Sequence, residues 1–172
     1  MSEQDLLAGS DIDTGVLTGT LEDMMSHQLD FGEVFLQSSR SESWGLEDGI
    51  VKDGSFSVDA GLGVRALVGE KTGFAYAEEL SQAGLQSAAS AARSIAKAGG
   101  KRSAEGLRTT ELSSLYPAAN PIAQLDEVAK VELLQRVDAV ARGADSRVKE
   151  VNVRIAANHE AMMVVATDGT RG

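Results

Sequence analysis

His27 and His159 are the only imidazoles in a chain that has no cysteine. Disulfides, thiolate metal sites and cysteine nucleophiles are therefore ruled out by composition. His159-Glu160 starts like a zinc-binding helix, in which a second histidine one turn later must face the same ion. Met163 and Val164 stand there instead, and Asn158-His159 reads as a turn entering a strand, so His159 is expected on a turn rather than on a metal. Gly61-Leu62-Gly63-Val64-Arg65-Ala66 fits G-x-G-x-x-G/A, a dinucleotide pattern that works only where a helix starts on it and aims backbone N–H groups at a pyrophosphate. Here Leu67 and Val68 continue a strand, so the glycines are expected to mark a bulge or close backbone packing. Gly69-Glu70-Lys71-Thr72 has Glu70 where a phosphate loop needs glycine, and reads as a hairpin turn.

The carboxylate pairs Glu47/Asp48 and Glu78/Glu79 are adjacent in sequence. On strands, adjacent side chains point to opposite faces and do not converge on a substrate. Trp44, the single tryptophan, is expected to pack rather than to form a binding platform. No Ser/His/Asp set can be assembled around either histidine. The expected catalytic, cofactor-binding and metal residues are accordingly none.

The elements that carry these residues follow from patterning. Residues 1–15 read as a flexible arm. Leu17, Leu21, Met24, Met25 and Leu29 recur at helical spacing over 16–29. From Phe31 to Ala77 the chain turns β-like, cut at Asp48-Gly49, Asp53-Gly54 and Gly69–Gly73, where glycine supplies positive φ. The expectation is an antiparallel meander of strands 33–42, 44–51, 55–67 and 73–77. Ser81 is a candidate N-cap for an alanine-rich helix whose stripe is Leu85, Ala88, Ala89, Ala92, Ile95 and Ala96, stopped by Gly99-Gly100. Residues 101–121, with Pro117 and Pro121, read as a linker.

A second helix is expected from Asp126 to Ala144, with Val131, Leu134, Val137, Ala141 and Ala144 inward and Asp138 outward. A β-hairpin follows, turning at Asn158-His159, and a further turn at Thr167–Thr170 leaves one edge of the last strand without a partner. The fold class is thus α+β: an N-terminal helix, a meander covered by an alanine-rich helix over 16–100, then the opening of an incomplete second domain over 122–172.

The 172 residues carry 26 acidic and 16 basic side chains, a net charge of −10. Such a surface repels phosphate, so neither nucleic acid nor an anionic membrane is an expected partner. With 42% hydrophobic residues, the chain can bury a core. Aromatics make up only 4%, so that core should rest on small, closely approaching residues. No apolar run of about 20 residues is present, and the start MSEQDLLAGSDID lacks the basic and apolar segments of a secretory signal. A cytoplasmic location is expected.

The block FLQSSRSESWGLEDGIVKDGSFSVDAGLGVRALVGEKTGFAYA, residues 35–77, resembles the N-terminal region of the TldD/PmbA (TldE) metallopeptidase family. Within it, ESWGLEDG (42–49), VKDGS (51–55), GLGVRA (61–66) and GEKTGFAYA (69–77) look like the TldD branch. The similarity resumes at LLQRVDAVAR (133–142) and MMVVATDGT (162–170).

The resemblance implies a cytoplasmic zinc peptidase that acts on unfolded or short peptides as a heterodimer with a PmbA/TldE-type subunit. The older family label, modulator of DNA gyrase, implies no DNA binding. The family's H-E-x-x-x-H helix and later cysteine match nothing here. No cofactor is therefore expected in this chain, zinc is expected only in a full-length member, and the 172 residues alone are expected to be inactive. Two readings follow: the N-terminal scaffold portion of a peptidase, or a short interaction module that binds a TldD/PmbA-type partner without catalysis.

Overall fold

A computed structural model describes residues 6–96, 120 and 122–172. The described residues form the α-helices α1 (Thr14–Ser26), α2 (Gln82–Ala96) and α3 (Glu127–Ala144), with a short 3-10 turn at Ile122–Gln124. Four strands, β1 (Phe31–Glu47), β2 (Ile50–Val68), β3 (Lys71–Ala77) and β4 (Asn152–Ala166), form one sheet in the order β3-β2-β1-β4. The α+β class is as expected, and so are the starts of α2 after Ser81 and of α3 at Asp126, whereas α1 begins at Thr14, ahead of the expected Val16. Asp13 caps α1 by accepting from Val16 N at 2.7 Å, Ser81 Oγ accepts from Gly84 N at 3.0 Å, and Asp126 caps α3 by accepting from Ala129 N at 2.7 Å.

The strands differ from the expected pattern in three places. The expected strands 33–42 and 44–51 are not separate, because β1 runs unbroken through Ser43 to Glu47. Asp53-Gly54 is no turn: β2 runs straight through it. A Cβ on Gly54 would lie 3.1 Å from the Trp44 ring, so this glycine makes room for an indole inside a continuous ladder. Asn158-His159 is likewise no turn but the middle of β4. The turns at Asp48-Gly49 and Gly69 do form, with positive φ at Asp48, Gly49 and Gly69. So does the final one, where Ala166 N donates to Thr170 O at 2.9 Å and Gly172 exchanges two bonds with Val164. The linker region 101–121 lies, apart from Asn120, outside the described residues, as do Gly99 and Gly100.

The chain divides into two compact units, and β1, β2 and β4 each contribute residues to both. The first unit takes in Met1–Ser38, Ala60–Ala118 and Ala161–Gly172. Its core joins Leu17, Leu21 and Met24 of α1 to Val34, Leu36, Leu62, Val64, Ala66 and Val68 of the sheet, and to Leu85, Ala88, Ala89, Ala92 and Ala96 of α2. The alanine stripe lets α2 lie directly on β3, because a Cβ on Gly73 would collide with the Ala92 carbonyl oxygen. Ile95 falls off the stripe and is exposed.

The second unit is Ser39–Asp59 with Ala119–Glu160. Its buried apolar residues are Leu46, Leu134 and Val151, and with them are buried Glu42, Ser43, Lys130 and Asp138. The inward face of α3 is therefore Lys130, Leu134 and Asp138, spaced four residues apart. The expected face is kept at Leu134 but overturned at Val137 and Ala144, which are exposed. Among the described residues no helix is long and apolar enough to cross a membrane.

Candidate functional site

The polar groups of the second unit gather where the far half of the β1/β2 hairpin meets α3. Lys130 Nζ donates to both oxygens of Glu42 at 2.8 Å and to the Ile122 carbonyl at 3.1 Å. Trp44 Nε1 donates to the same carboxylate. Both charged side chains are more than nine-tenths buried, so each depends on the other for its solvation. The Lys130 hydrogen bond, followed by that of Trp44, holds the Glu42 carboxyl below its ordinary range, against the opposing effect of burial.

A second cluster ties the hairpin turn to the end of α3. Arg142 bonds Asp138 through Nε at 3.1 and 3.2 Å and reaches Asp48 through Nη2. Asp48 also accepts from Val151 N at 3.2 Å, and these bonds, Arg142 first, lower its pKa. The pair Glu47/Asp48 splits because β1 ends at Glu47 and Asp48 lies in the turn, where it is drawn into this network. Glu79 merely accepts from Ser81 Oγ at 2.7 Å.

On the sheet face of this unit lies an open groove of about 670 Å³, with Ser41, Ser43, Ser55, Phe56 and Arg154 among its lining. Arg154 donates to Ser43 Oγ at 3.0 Å, and the Ser43 and Ser55 hydroxyls lie 2.8 Å apart. None of these serines has an imidazole or a carboxylate as its recorded partner. The groove thus offers hydroxyls, a guanidinium and an exposed ring.

The two histidines take different roles. His159 sits half-buried within β4 in the second unit. His27 closes α1 in the first, where its Nδ1 lies 2.7 Å from the Asp23 carbonyl and 2.9 Å from Arg93 Nη1, and Arg93 in turn bonds the Asp23 carboxylate at 2.5 Å. This Asp23/His27/Arg93 cluster is missed by sequence reasoning, because 66 residues separate His27 from Arg93. Among the described residues, no group of three or more His, Cys, Asp or Glu is placed to hold a metal ion. The zinc implied by the resemblance finds no fitting donor set on them.

The glycine pattern Gly61–Ala66 lies wholly inside β2, where Leu62–Val68 pair with β3. A Cβ on Gly61 would press on the Ala77 carbonyl, and one on Gly63 on the Phe74 ring. Close packing, as expected, is what these glycines serve. Trp44 is half-buried over Gly54 and hydrogen-bonded to Glu42, a packing residue.

Among the described residues, the second unit thus holds a buried Glu42–Lys130 ion pair and an open polar groove. Comparison with known proteins places the chain further. PmbA/TldA metallopeptidase domain 1 matches residues 32–96, so this region is similar to the first domain of those metallopeptidases. The TldD-like character extends along nearly the whole chain. It is 41% identical over 167 residues to a metalloprotease TldD homolog of Haemophilus influenzae, covering 96% of this chain and 35% of that protein. The chain spans about a third of the length of the curated relatives it matches.

Two solved structures share the fold at low identity. TldE from Thermococcus kodakarensis aligns with a TM-score of 0.67 at 15% identity, over 91% of this chain and 36% of that one. A protein described as a suggested modulator of a DNA gyrase, from Thermotoga maritima, aligns with a TM-score of 0.70 at 14% identity, over 92% and 36%.

Proposed function

We propose that this chain is the N-terminal scaffold and assembly portion of a TldD-type, zinc-dependent metallopeptidase that processes unfolded peptides in the cytoplasm, paired with a PmbA/TldE-type subunit. The observation that carries the reading is the 41% identity, held along 96% of this chain, to one third of a protein named a metalloprotease. In this reading residues 16–100 form the family's first domain and 122–172 open the next. The zinc ligands and the reacting groups belong to the remaining two thirds of a full-length member.

The role follows from what the described side chains can do. They bury a core, lock a hairpin to α3 through two ionic clusters, and present apolar side chains to solvent at Ile50, Phe56, Val58, Val128 and Val140. Those are the means of assembly, not of hydrolysis.

The test pairs binding with catalysis. The purified chain is mixed with a PmbA/TldE-type subunit and with a full-length TldD-type subunit. The expected result is that the chain competes for the PmbA/TldE-type subunit and lowers the chelator-sensitive cleavage of an unstructured peptide, while showing none of that activity by itself. Chelator-sensitive cleavage by the chain alone would sink the proposal.

A further inference from the structure

The groove on the second unit presents more hydrogen-bond donors than its own acceptors use. Ser41 and Ser43 of β1, Ser55 of β2, and Arg154 and Asn158 of β4 line it, and all belong to that unit. Arg154 Nη2 donates to Ser43 Oγ at 3.0 Å, and the Ser43 and Ser55 hydroxyls lie 2.8 Å apart. Ser41 Oγ donates to Asn158 Oδ1 at 3.1 Å. A guanidinium carries five N–H groups, a hydroxyl one O–H and a primary amide two N–H. Arg154 uses one of its five on Ser43, and the Ser43–Ser55 contact uses one of two hydroxyl protons. Four guanidinium N–H groups, one hydroxyl proton and the Asn158 amide protons are left without an acceptor among the described residues. In the order Arg154, Ser43, Ser55, each donation polarises the next hydroxyl, which strengthens the last donor.

The charges point the same way. Arg65, Arg93, Arg142 and Arg147 each pair with a carboxylate, whereas among the described residues Arg154 has only the Ser43 hydroxyl. The one carboxylate in the lining, Glu42, is already neutralised by Lys130. Asp53 is not part of the lining, and its carboxylate lies over Gly45. The net charge of −10 disfavours a long polyanion. For one small anion the nearby guanidinium decides, because at physiological salt charges beyond about 8 Å are largely screened.

We propose that this groove binds the phosphate group of a small phosphate monoester. The donors come from three strands and do not share a plane. A phosphate spreads three strong acceptor oxygens towards different corners, whereas a carboxylate has two and matches the guanidinium fork alone. A charge of about −1.5 to −2 also suits an open site, where water weakens every contact. At about 670 Å³ the groove has the size of small-molecule sites, about 300–1,000 Å³, which leaves room for an organic body beside the phosphate. Nothing in this inference depends on the peptidase reading.

Phenyl phosphate, inorganic phosphate and benzoate are titrated separately into the isotope-labelled 172-residue chain at constant ionic strength, above the phosphate's second pKa of about 6. The backbone amide shifts of Ser43, Ser55 and Arg154 report binding. Phenyl phosphate should move them saturably, with benzoate about tenfold weaker. Inorganic phosphate should bind the same residues more weakly than the ester, because it leaves the rest of the groove empty. Arg154 is exposed, so Arg154→Gln should keep its Tm while losing about tenfold in affinity for phenyl phosphate. Ser55→Ala should lose a smaller factor.

The absence of saturable shifts, equal binding of benzoate, or binding unchanged in both variants overturns the proposal. Equal binding of inorganic phosphate and the ester overturns the monoester and leaves the free ion. Chelator-sensitive cleavage by the chain alone would sink the proposed function without altering this readout, so the two readings fail separately.

Discussion

The Glu42 carboxylate takes two hydrogen bonds from Lys130 and one from Trp44 in a place where water barely reaches. Removing one member of such a pair strands a buried charge, a loss of about 3–5 kcal/mol. Lys130→Met should therefore lower the urea-unfolding free energy by about 3 kcal/mol or more, and adding Glu42→Gln to it should restore part of the loss. The pair also sets an acid limit. Because the folded state holds the Glu42 pKa below its ordinary 4.5, its contribution is complete above that value. It fades as pH falls through the lower, folded one. Stability measured from neutral pH into acid should fall more steeply below the ordinary value in the parent protein than in Glu42→Gln. Parallel curves would show that this carboxylate is not what Lys130 stabilises.

At the scale of elements, α2 and β3 approach so closely that their spacing depends on one missing side chain. Gly73→Ala would drive a Cβ into the Ala92 carbonyl and the Ala96 amide, and backbone cannot yield as a flexible side chain does. Overpacking of this kind costs about 1–3 kcal/mol. Gly143 makes the opposite case: it lies in α3 with nothing within 4 Å of an added Cβ, and Gly143→Ala should stabilise by up to about 1 kcal/mol. Thermal unfolding of the two variants should move in opposite directions. A neutral Gly73→Ala would mean that α2 does not sit on β3 as described. The alanine stripe and the Ser81 cap of α2 were legible in sequence, because both depend on neighbours within one or two turns. The inward face of α3 was not, because Lys130 and Asp138 are buried only by virtue of Glu42, and of Arg142 with Asp48, which other segments bring to meet them.

Across the whole molecule, the metal chemistry of the family is expected to be absent from this chain. Elemental analysis of the purified 172-residue protein should find no stoichiometric zinc, before or after chelator treatment. One tightly held ion per chain would contradict this and point to donors outside the described residues. The two units differ in how they are held together, the first by a core of leucine, valine, methionine and alanine, the second with ionic clusters around Leu46, Leu134 and Val151.

Sequence by itself determined the α+β class, the three described helices, the turns at Asp48-Gly49, Gly69 and Thr167–Thr170, and the family resemblance. Each of these is written in local periodicity, in glycines that need positive φ, or in ordered blocks such as ESWGLEDG. Only the tertiary structure decided that Asp53-Gly54 and Asn158-His159 lie inside strands, that β4 joins β1, and that β3 pairs with the Leu62–Val68 end of β2. The reason is physical: whether a glycine turns the chain or makes room for an indole, and whether a strand edge is paired, depends on residues far away along the sequence, and no local pattern records them.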